Sequence, residues 1–309
     1  MKKSSAKTMP RRISYEGVDL RSFLADLIDL TKPKLSGLVI ITVFTGMLLA
    51  PGAMNFSKMF YFLISMILLV GGSAALNCVM EIEADSKMDR TKNRPLPAGR
   101  ISPALALTFG LSMISFALCA LYFQTNTTTF VMAILASVFY LLIYTPLKQR
   151  TDIALYLGAV PGALPPLMAW THQTGSLDFL GLYLFALLFI WQLPHFLAIS
   201  IYLAKDYSSA SIQVLPNLRG SKLAVYLICL LSFVLMILNI VPSLYSKVPN
   251  SFAYVASLIS FALFILSLRG VRLLKSNAGD EICAWARNYF LGTIIYLPLL
   301  LLAMLLLFP

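Results

Sequence analysis

Long uninterrupted apolar segments dominate this 309-residue chain. Each approaches the roughly 20 residues that a helix needs to cross a bilayer. The segments lie at about 36–54, 59–80, 101–122, 128–146, 153–171, 179–203, 223–242, 251–268 and 288–308. Backbone groups find no hydrogen-bond partners in hydrocarbon, so each segment predicts a helix. Charged residues make up only 12% of the chain, whereas soluble domains carry roughly 25%. We therefore expect an all-α integral membrane protein with a bundle of nine transmembrane helices.

The cations alternate between the two sides of that bundle. Of the 24 Lys and Arg residues, 22 lie in the N-terminal arm or in the connections after the second, fourth, sixth and eighth spans. The positive-inside rule then places the N-terminus in the cytoplasm, or matrix, and the C-terminus outside. Twelve of the 13 acids share the inner side, Asp178 being the exception. Because acids contribute little to orientation, their gathering there indicates a site.

The N-terminal region differs from the rest in composition. Residues 1–14, "MKKSSAKTMPRRIS", are basic and no signal-peptide h-region with a cleavage site follows directly. A short mitochondrial presequence remains open. Residues 18–30 place apolar side chains at helical spacing, which predicts an interfacial amphipathic helix. The predicted organisation is a cytoplasmic arm over 1–35 and a transmembrane domain over 36–309.

Polar residues crowd the inner end of the second span. Asn77, Glu81 and Asp85 are spaced i, i+4, i+8 and would form one stripe on a helix. Their amide and carboxylate oxygens suit Mg²⁺, which often completes its shell with phosphate. The cations that follow are Arg90, Lys92 and Arg94. Cations beside an acid-bound Mg²⁺ are typical of a diphosphate site. The alternative is a solvated loop with internal salt bridges.

A second polar group is predicted on the same side. After the fourth span the sequence reads "YTPLKQRTD", and the sixth span ends in "WQLPHFLAISIYLAKDY". Gln192 and His195 fall in the inner half of a span that Pro194 interrupts, and intramembrane polar residues are usually functional. A structural hydrogen-bonding role for His195 is the alternative. His172, in the next outer connection, is expected to be a solvated surface residue.

Other chemistry finds little support in the sequence. The four Cys residues have no metal-ligand spacing and are expected to be small apolar helix residues. We find no phosphate-binding loop, no GxSxG, no HExxH and no CxxCH. The net charge of +11 is explained by membrane topology, and no nucleic-acid partner is expected.

Six motifs, in order, resemble the intramembrane UbiA-type prenyltransferase superfamily, over residues from about 30 to the end. They are "LTKPK" at 30–34, "NCVMEIEADSKMDRTKNRPLPAGRIS" at 77–102, "YTPLKQRT" at 144–151, "GAVPGALPPLMAW" at 158–170, "WQLPHFLAISIYLAKDY" at 191–207 and "LPNLRG" at 215–220. "KMDRTKNRPLPAG", "WQLPHF" and "DY" are similar to the branch that prenylates heme. The family pattern has Asn-Asn and Asp-Arg-Asp-Ile-Asp where this chain has Asn77-Cys78 and then residues 81–85, "EIEAD".

The resemblance implies a central cavity open to the cytoplasmic side, with farnesyl diphosphate and protoheme as substrates and heme O as product. Residues are assigned by implied role. Metal ligands and catalytic groups are Asn77, Glu81, Asp85 and Asp206, with Mg²⁺ as cofactor. Diphosphate ligands are Arg90, Arg94, Lys148 and Arg150. Cation-shielding rings are Phe139, Tyr140 and Tyr144, and heme contacts are His195 and Gln192.

The implied setting is the plasma membrane of a bacterium, with the mitochondrial inner membrane as the alternative. Implied partners beyond the lipid bilayer are a heme A synthase or a terminal oxidase assembly. Three rival functions remain open: prenyl transfer to an aromatic or quinone-precursor acceptor, secondary transport, and a structural role in a respiratory complex.

Overall fold

In a computed structural model, residues 19–53, 55–245, 248–275 and 279–308 are described, the side chains of residues 279 and 280 excepted. Residues 1–18 of the predicted arm over 1–35, together with Lys247, therefore lie outside the described residues. The described residues form helices and no strands. The helices are α1 (Leu20–Leu30), α2 (Pro33–Leu49), α3 (Phe56–Met80), α4 (Ile82–Lys87), α5 (Pro103–Gln124), α6 (Thr127–Val138), α7 (Thr145–Leu147), α8 (Ala154–Thr174), α9 (Phe179–Tyr202), α10 (Ala204–Ser209), α11 (Leu215–Arg219), α12 (Ser221–Leu238), α13 (Val241–Leu244), α14 (Asn250–Lys275) and α15 (Gly279–Leu307). A π-helical segment, Phe139–Tyr144, joins α6 to α7.

Each of the nine predicted spans corresponds to a helix. Within the described residues, seven helices or helix pairs are long and apolar enough to cross a membrane, and up to eight are if the bent pair α1–α2 forms one span. The remaining predicted span, 153–171, is α8, which is not among them. Its three prolines and its polar end reduce the apolar character that the other spans have.

Side chains that accept hydrogen bonds from free N–H groups mark several helix starts. Asn55, Ser102, Asn126 and Asp178 each accept a bond from the backbone N–H three residues further on. Such N-caps satisfy groups that the helix itself leaves unpaired. Four of the long helices thus begin where a short polar residue precedes an apolar run.

Pro194 was predicted to interrupt the sixth span, but helix α9 continues through it. Helix α8 likewise continues through Pro161, Pro165 and Pro166. Neighbouring helices supply the packing that such positions need, because α8 is largely buried between α2, α6 and α9. We conclude that α8 is a central element of the bundle.

The junction between α1 and α2 is bent by 54° at Lys32. Lys32 has a left-handed backbone, with φ of 50°, and precedes Pro33. A residue before proline is disfavoured in the right-handed helical region, so the helix is interrupted here. The amphipathic helix predicted at 18–30 is present as α1, and the bend directs the chain from it into the bundle.

Candidate active site

The predicted stripe of Asn77, Glu81 and Asp85 is present at the end of α3. Helix α3 ends at Met80, yet the N–H of Glu81 donates to Asn77 O at 3.1 Å and that of Asp85 donates to Glu81 O at 2.8 Å. The i to i−4 register thus continues from α3 into α4, which keeps all three residues on one face. Their exposed fractions are only 1%, 4% and 2%. Because these three residues are buried, they do not form the solvated charged loop that was the alternative prediction.

Two lysines from other parts of the chain reach this stripe. Lys32 Nζ donates to Asn77 Oδ1 at 2.5 Å, and Lys148 Nζ lies 2.5 Å from Glu81 Oε1. Asn77 Nδ2 donates to the same Glu81 oxygen at 2.6 Å and to Thr145 Oγ1 at 2.9 Å. The start of α2, the end of α3 and the loop after α7 therefore meet at one point.

Asp85 is bound by residues of the turn that follows it in the chain. Arg94 Nη1 donates to Asp85 Oδ2 at 2.9 Å, and Thr91 Oγ1 donates to the Asp85 backbone oxygen at 2.8 Å. The turn that follows α4 thus folds back over the stripe. We call Lys32, Asn77, Glu81, Asp85, Arg94 and Lys148 the ionic cluster. In it each of the three stripe residues faces its own cation.

Lys148 keeps its charge despite its position. Burial on its own would lower the pKa of the Lys148 ammonium, but Tyr144 and Glu81 beside it outweigh burial and raise that pKa above its usual value. The ammonium also lies 5.5 Å from the centre of the Tyr144 ring, within cation–π range. Lys148 is therefore a protonated donor throughout the physiological pH range.

Helix α10 lies in the connection after the sixth predicted span and packs at the same end of the bundle as the ionic cluster. Ala210 and Ile212 pack against Ala84 and Met88, and the N–H of Gln213 donates to Lys148 O at 3.0 Å. Asp206 is half-buried on α10 and contributes, after the larger effect of Asp89, to raising the pKa of Lys92. Asp206 thus lies at the same end of the bundle as the ionic cluster, although no hydrogen bond to that cluster is observed among the described residues.

The four predicted phosphate ligands differ in burial. Arg90 and Arg150 are exposed, whereas Arg94 and Lys148 are half-buried. Asp152, which is buried, pairs with Arg219 at 2.7 Å and not with a residue of the ionic cluster. The structure therefore joins two of the four predicted diphosphate ligands directly to the stripe and leaves the other two at its solvent side.

The predicted aromatic residues occupy the π-helical segment. Tyr140 and Tyr144 stack with ring centres 5.9 Å apart, and Thr145 Oγ1 donates to Tyr140 O at 2.7 Å. Such π-helical turns are frequent at functional sites. Phe139, the first residue of the segment, is half-buried. The segment gives the chain an extra residue per turn just where Thr145 and Lys148 approach Asn77 and Glu81.

His195 has a defined hydrogen-bonding state. Its Nδ1 lies 2.7 Å from Thr293 Oγ1, and that hydroxyl donates its single proton to Phe290 O at 2.5 Å. The hydroxyl must therefore accept from Nδ1–H, which leaves the lone pair on Nε2. Trp191 stacks on the ring with centres 4.9 Å apart. Neutral imidazole with a free Nε2 is the form that binds metal ions.

Gln192 is tied to α8. It is buried, and its Nε2 donates to Leu188 O at 2.9 Å and to Ala159 O at 3.4 Å. A side chain at Gly162 would collide with its Oε1, and one at Gly158, a turn earlier, would collide with Tyr144. The two glycines form one face of α8 that receives both the π-helical segment and α9. These contacts support a structural role for Gln192, and its predicted heme contact remains a prediction.

The prediction for His172 was wrong. It belongs to the last turn of α8, is half-buried, and stacks on Phe62 with ring centres 4.3 Å apart. The outer connection begins only after Thr174, because α8 extends beyond the apolar segment from which it was predicted. Flat packing against an aromatic ring, not solvation, determines its environment.

Sequence reasoning did not assign roles to Lys32 or Thr145. A signal for Lys32 was present, since a cation directly before a proline opens the first span on the side where the acids gather. Nothing in the local sequence marks Thr145, whose position depends on the π-helical turn. The predicted central cavity is also not confirmed: the cavity of about 400 Å³ that the structure describes is lined by residues of α14 and α15 instead.

The donor set fits a hard cation that relies on its substrate. Among the described residues no group of three or more His, Cys, Asp or Glu side chains could hold a metal ion by itself. The stripe offers two carboxylates and one amide oxygen on successive turns. Mg²⁺ commonly keeps only one or two protein carboxylates and takes the rest of its shell from water and phosphate.

Comparisons with known proteins agree with this arrangement. Residues 39–294 match the model of the UbiA prenyltransferase family. A protoheme IX farnesyltransferase of Anaeromyxobacter dehalogenans (strain 2CP-C) is 40% identical over 301 residues, which cover 97% of each chain. One of Anaeromyxobacter sp. (strain Fw109-5) is 42% identical over 301 residues, again 97% of each chain.

Solved structures share the fold. A digeranylgeranylglyceryl phosphate synthase superposes with a TM-score of 0.73 at 17% identity, covering 92% of this chain and 98% of that one. A UbiA homolog from Archaeoglobus fulgidus, bound to DMAPP and Mg²⁺, gives a TM-score of 0.64 at 13% identity, covering 88% and 99%. At these identities the likeness concerns the fold alone.

Proposed function

The chain belongs to the UbiA prenyltransferase family, and from this premise we propose that it makes heme O. It would transfer the farnesyl group of farnesyl diphosphate to a vinyl group of protoheme IX, with addition of water and release of diphosphate. The observation that carries the proposal is the ionic cluster, where buried acids and paired cations meet at the end of an apolar bundle. Protoheme IX farnesyltransferases at 40% identity over almost the whole chain support the acceptor.

In the proposed mechanism, the three stripe residues bind the metal ion. Asn77, Glu81, Asp85 and, from α10, Asp206 would hold Mg²⁺ together with the substrate's phosphate oxygens. When bound, the ion supplies positive charge that stabilises the leaving diphosphate. A UbiA homolog bound to DMAPP and Mg²⁺ supports the metal dependence. Here Glu81 replaces the family's aspartate, which keeps the charge and moves it outward by one methylene.

Four cations would bind the rest of the diphosphate. Lys148 and Arg94 lie within 2.5 Å and 2.9 Å of stripe oxygens, so small side-chain movements would bring both to a phosphate held there. Arg90 and Arg150 stand at the solvent side, where the charged head would enter. Donors aimed at the oxygens that gain charge lower the barrier to breaking the bond between farnesyl C1 and its phosphate oxygen.

The allylic cation that remains needs protection from water. Phe139, Tyr140 and Tyr144 would provide the ring faces, and Tyr144 already attracts the Lys148 ammonium, which pairs with Glu81. The vinyl π electrons of heme then form the new carbon–carbon bond to farnesyl C1. Water adds to the cation left on the vinyl group and loses a proton, which gives the hydroxyethylfarnesyl substituent.

His195 would position the heme. The hydrogen bond from Nδ1–H to Thr293 leaves its Nε2 free to ligate iron, and Trp191 and Phe290 fix the ring plane. The structural alternative is that the bond to Thr293 merely links α9 to α15. The Thr293 variant described in the Discussion distinguishes the two.

The proposal includes a cellular location and a membrane topology. The chain is a multi-span membrane protein with bacterial relatives, and we place it in a bacterial plasma membrane with nine spans, α8 among them. Residues 1–35 form the cytoplasmic arm, residues 36–309 the prenyltransferase domain, and the C-terminus lies outside. The consumer of the product would be a heme A synthase or a terminal oxidase assembly.

An assay of farnesyl transfer to separate acceptors tests the proposal. The purified chain would be incubated with labelled farnesyl diphosphate and Mg²⁺, and with protoheme or an aromatic acid as separate acceptors. We expect label in a pigment heavier than protoheme by one farnesyl group and one hydroxyl group. Label only in the aromatic acid would reject the heme assignment, and label crossing a vesicle membrane unchanged would favour a transporter.

A further inference from the structure

A second polar site lies between α14 and α15, apart from the ionic cluster. A cavity of about 400 Å³ is lined there by Leu266, Arg269, Arg272, Leu273, Glu281, Ala284, Trp285 and Asn288. It is an open cleft and not an enclosed pocket, so an occupant would keep part of its surface exposed to lipid or water. Neither the proposed catalytic residues nor the proposed heme contacts line it.

The arginines of this cavity are available for a ligand. Arg269 and Arg272 are both exposed, and they lie one turn apart on the same face of α14. The six salt bridges of the described residues involve neither of them. Trp285 beside them is already fixed, because its Nε1 donates to Leu266 O at 2.8 Å. The cavity thus combines a rigid wall with two guanidinium groups that form no salt bridge to any described residue.

The cavity continues into apolar surface along both helices. On α14, Leu258 and Ile265 are 70% and 44% exposed and fall on the face that ends in Arg269. On α15, Ile295 and Leu291 are 61% and 45% exposed and fall on the face that ends in Asn288. An occupant that follows these surfaces has a polar head and apolar chains. A free inorganic anion would use only the head site.

The cavity lies at the same end of the bundle as the ionic cluster. Cys283 Sγ, near the start of α15, is 3.8 Å from Tyr202 O, the last residue of α9. Helix α10, which carries Asp206, follows directly. The head of a lipid in the leaflet on that side would therefore reach Arg269 and Arg272.

We propose that this cavity binds the headgroup of phosphatidylglycerol, or a closely similar anionic phospholipid, from that leaflet. The two guanidinium groups take the phosphate, as arginine forks commonly do. Glu281 and Asn288 accept hydrogen bonds from the headgroup hydroxyls, and the acyl chains lie along the two apolar faces. Basic pockets between transmembrane helices recognise anionic headgroups in this way.

Native mass spectrometry of the full chain in mild detergent tests this site, with phosphatidylglycerol, phosphatidylcholine or inorganic phosphate added. We expect retained phosphatidylglycerol and little phosphatidylcholine. Each cation facing an anionic headgroup contributes about a fivefold factor in affinity, so Arg269→Gln/Arg272→Gln should bind phosphatidylglycerol about 25-fold more weakly. The variant Arg269→Lys/Arg272→Lys keeps the charge but not the fork, so it should lose less affinity than the glutamine variant.

A matched control removes the same charge elsewhere. Lys34 and Lys222 are exposed cations on other helices, and Lys34→Gln/Lys222→Gln should leave phosphatidylglycerol binding within about twofold of the wild type. Equal losses in both double variants would reduce the effect to general attraction and overturn the proposal. Displacement of the lipid by inorganic phosphate would overturn the lipid as occupant, and equal retention of phosphatidylcholine would overturn the headgroup preference.

Discussion

Two buried polar clusters of this protein differ in charge, and the difference separates structure from function. The neutral cluster consists of Tyr183, Asn239, Ser260 and Tyr296. Tyr183 Oη donates to Asn239 Oδ1 at 2.7 Å, and Asn239 Nδ2 donates to Ser260 Oγ at 2.7 Å and to Tyr296 Oη at 2.9 Å. The ionic cluster instead holds three cations against an amide and two carboxylates.

The polar side chains of the neutral cluster form hydrogen bonds with one another. Its four residues come from α9, α14, α15 and the end of α12, and they are at most 3% exposed. No charge is buried there, so the bonds link helices at little desolvation cost. The ionic cluster is different, because buried ion pairs stabilise a fold poorly and are retained in membrane proteins mainly at functional sites. Changes in the ionic cluster should therefore reduce activity, and changes in the neutral cluster should reduce stability.

The largest effect is expected from Asp85→Asn. The amide has nearly the same shape but lacks the charge that holds a divalent ion, so heme O formation should fall by about 100-fold or more while membrane insertion stays normal. Product would be quantified by pigment extraction and mass measurement from a host that lacks this activity. Turnover at the wild-type rate would contradict the metal role of Asp85.

Lys148 of the ionic cluster contributes to packing as well as to charge. Lys148→Met leaves Glu81 buried without its cation, so we expect both lower stability and at least about a tenfold loss of turnover. The double variant Lys148→Met/Glu81→Gln should regain stability, because no charge is then left unpaired. Thermal unfolding in detergent and turnover would be measured together, and recovery of both would show that this pair is merely structural.

Thr293→Val tests the positioning of His195. Valine has nearly the same shape but cannot accept the hydrogen bond from Nδ1–H, so the ring loses its fixed tautomer. We expect the KM for heme to rise by about tenfold while the KM for farnesyl diphosphate is unchanged. Thr108→Val, at an exposed threonine of α5, is the control. Equal changes in both KM values would favour the purely structural reading of the bond.

Asn239→Ala should have the smallest effect on turnover. It leaves three buried hydroxyl groups with fewer partners and should lower the free energy of unfolding by about 1–2 kcal/mol. Turnover per folded molecule should stay within about twofold of the wild type. Chemical denaturation and an activity assay on the folded fraction would check this. A large loss of turnover without a loss of stability would remove the distinction between the clusters.

The apolar pattern of the sequence predicted the helices but not their ends. Segment 251–268 is part of α14, which continues to Lys275, and segment 288–308 is part of α15, which begins at Gly279. Hydropathy marks only the part of a helix in hydrocarbon, whereas these helices continue into the polar boundary. The same limit misplaced His172, which lies on a helix and not in a loop.

Helical periodicity predicted the stripe, because Asn77, Glu81 and Asp85 keep one register across the end of α3. Their partners were not predictable in the same way. Lys32 is 45 residues from Asn77 along the chain, and the approach of Thr145 depends on a π-helical turn that no local pattern indicates. Long-range pairing is a property of packing, so the sequence predicted that these residues share one end of the bundle but not the contacts between them.

Calorimetry can measure the binding of farnesyl thiodiphosphate, an unreactive analogue, to the full chain with and without Mg²⁺. We predict that wild-type binding requires Mg²⁺, that Glu81→Gln/Asp85→Asn abolishes this requirement together with most of the affinity, and that Asn239→Ala leaves both unchanged. Mg²⁺-dependent binding of normal affinity in the Glu81→Gln/Asp85→Asn variant would contradict the account.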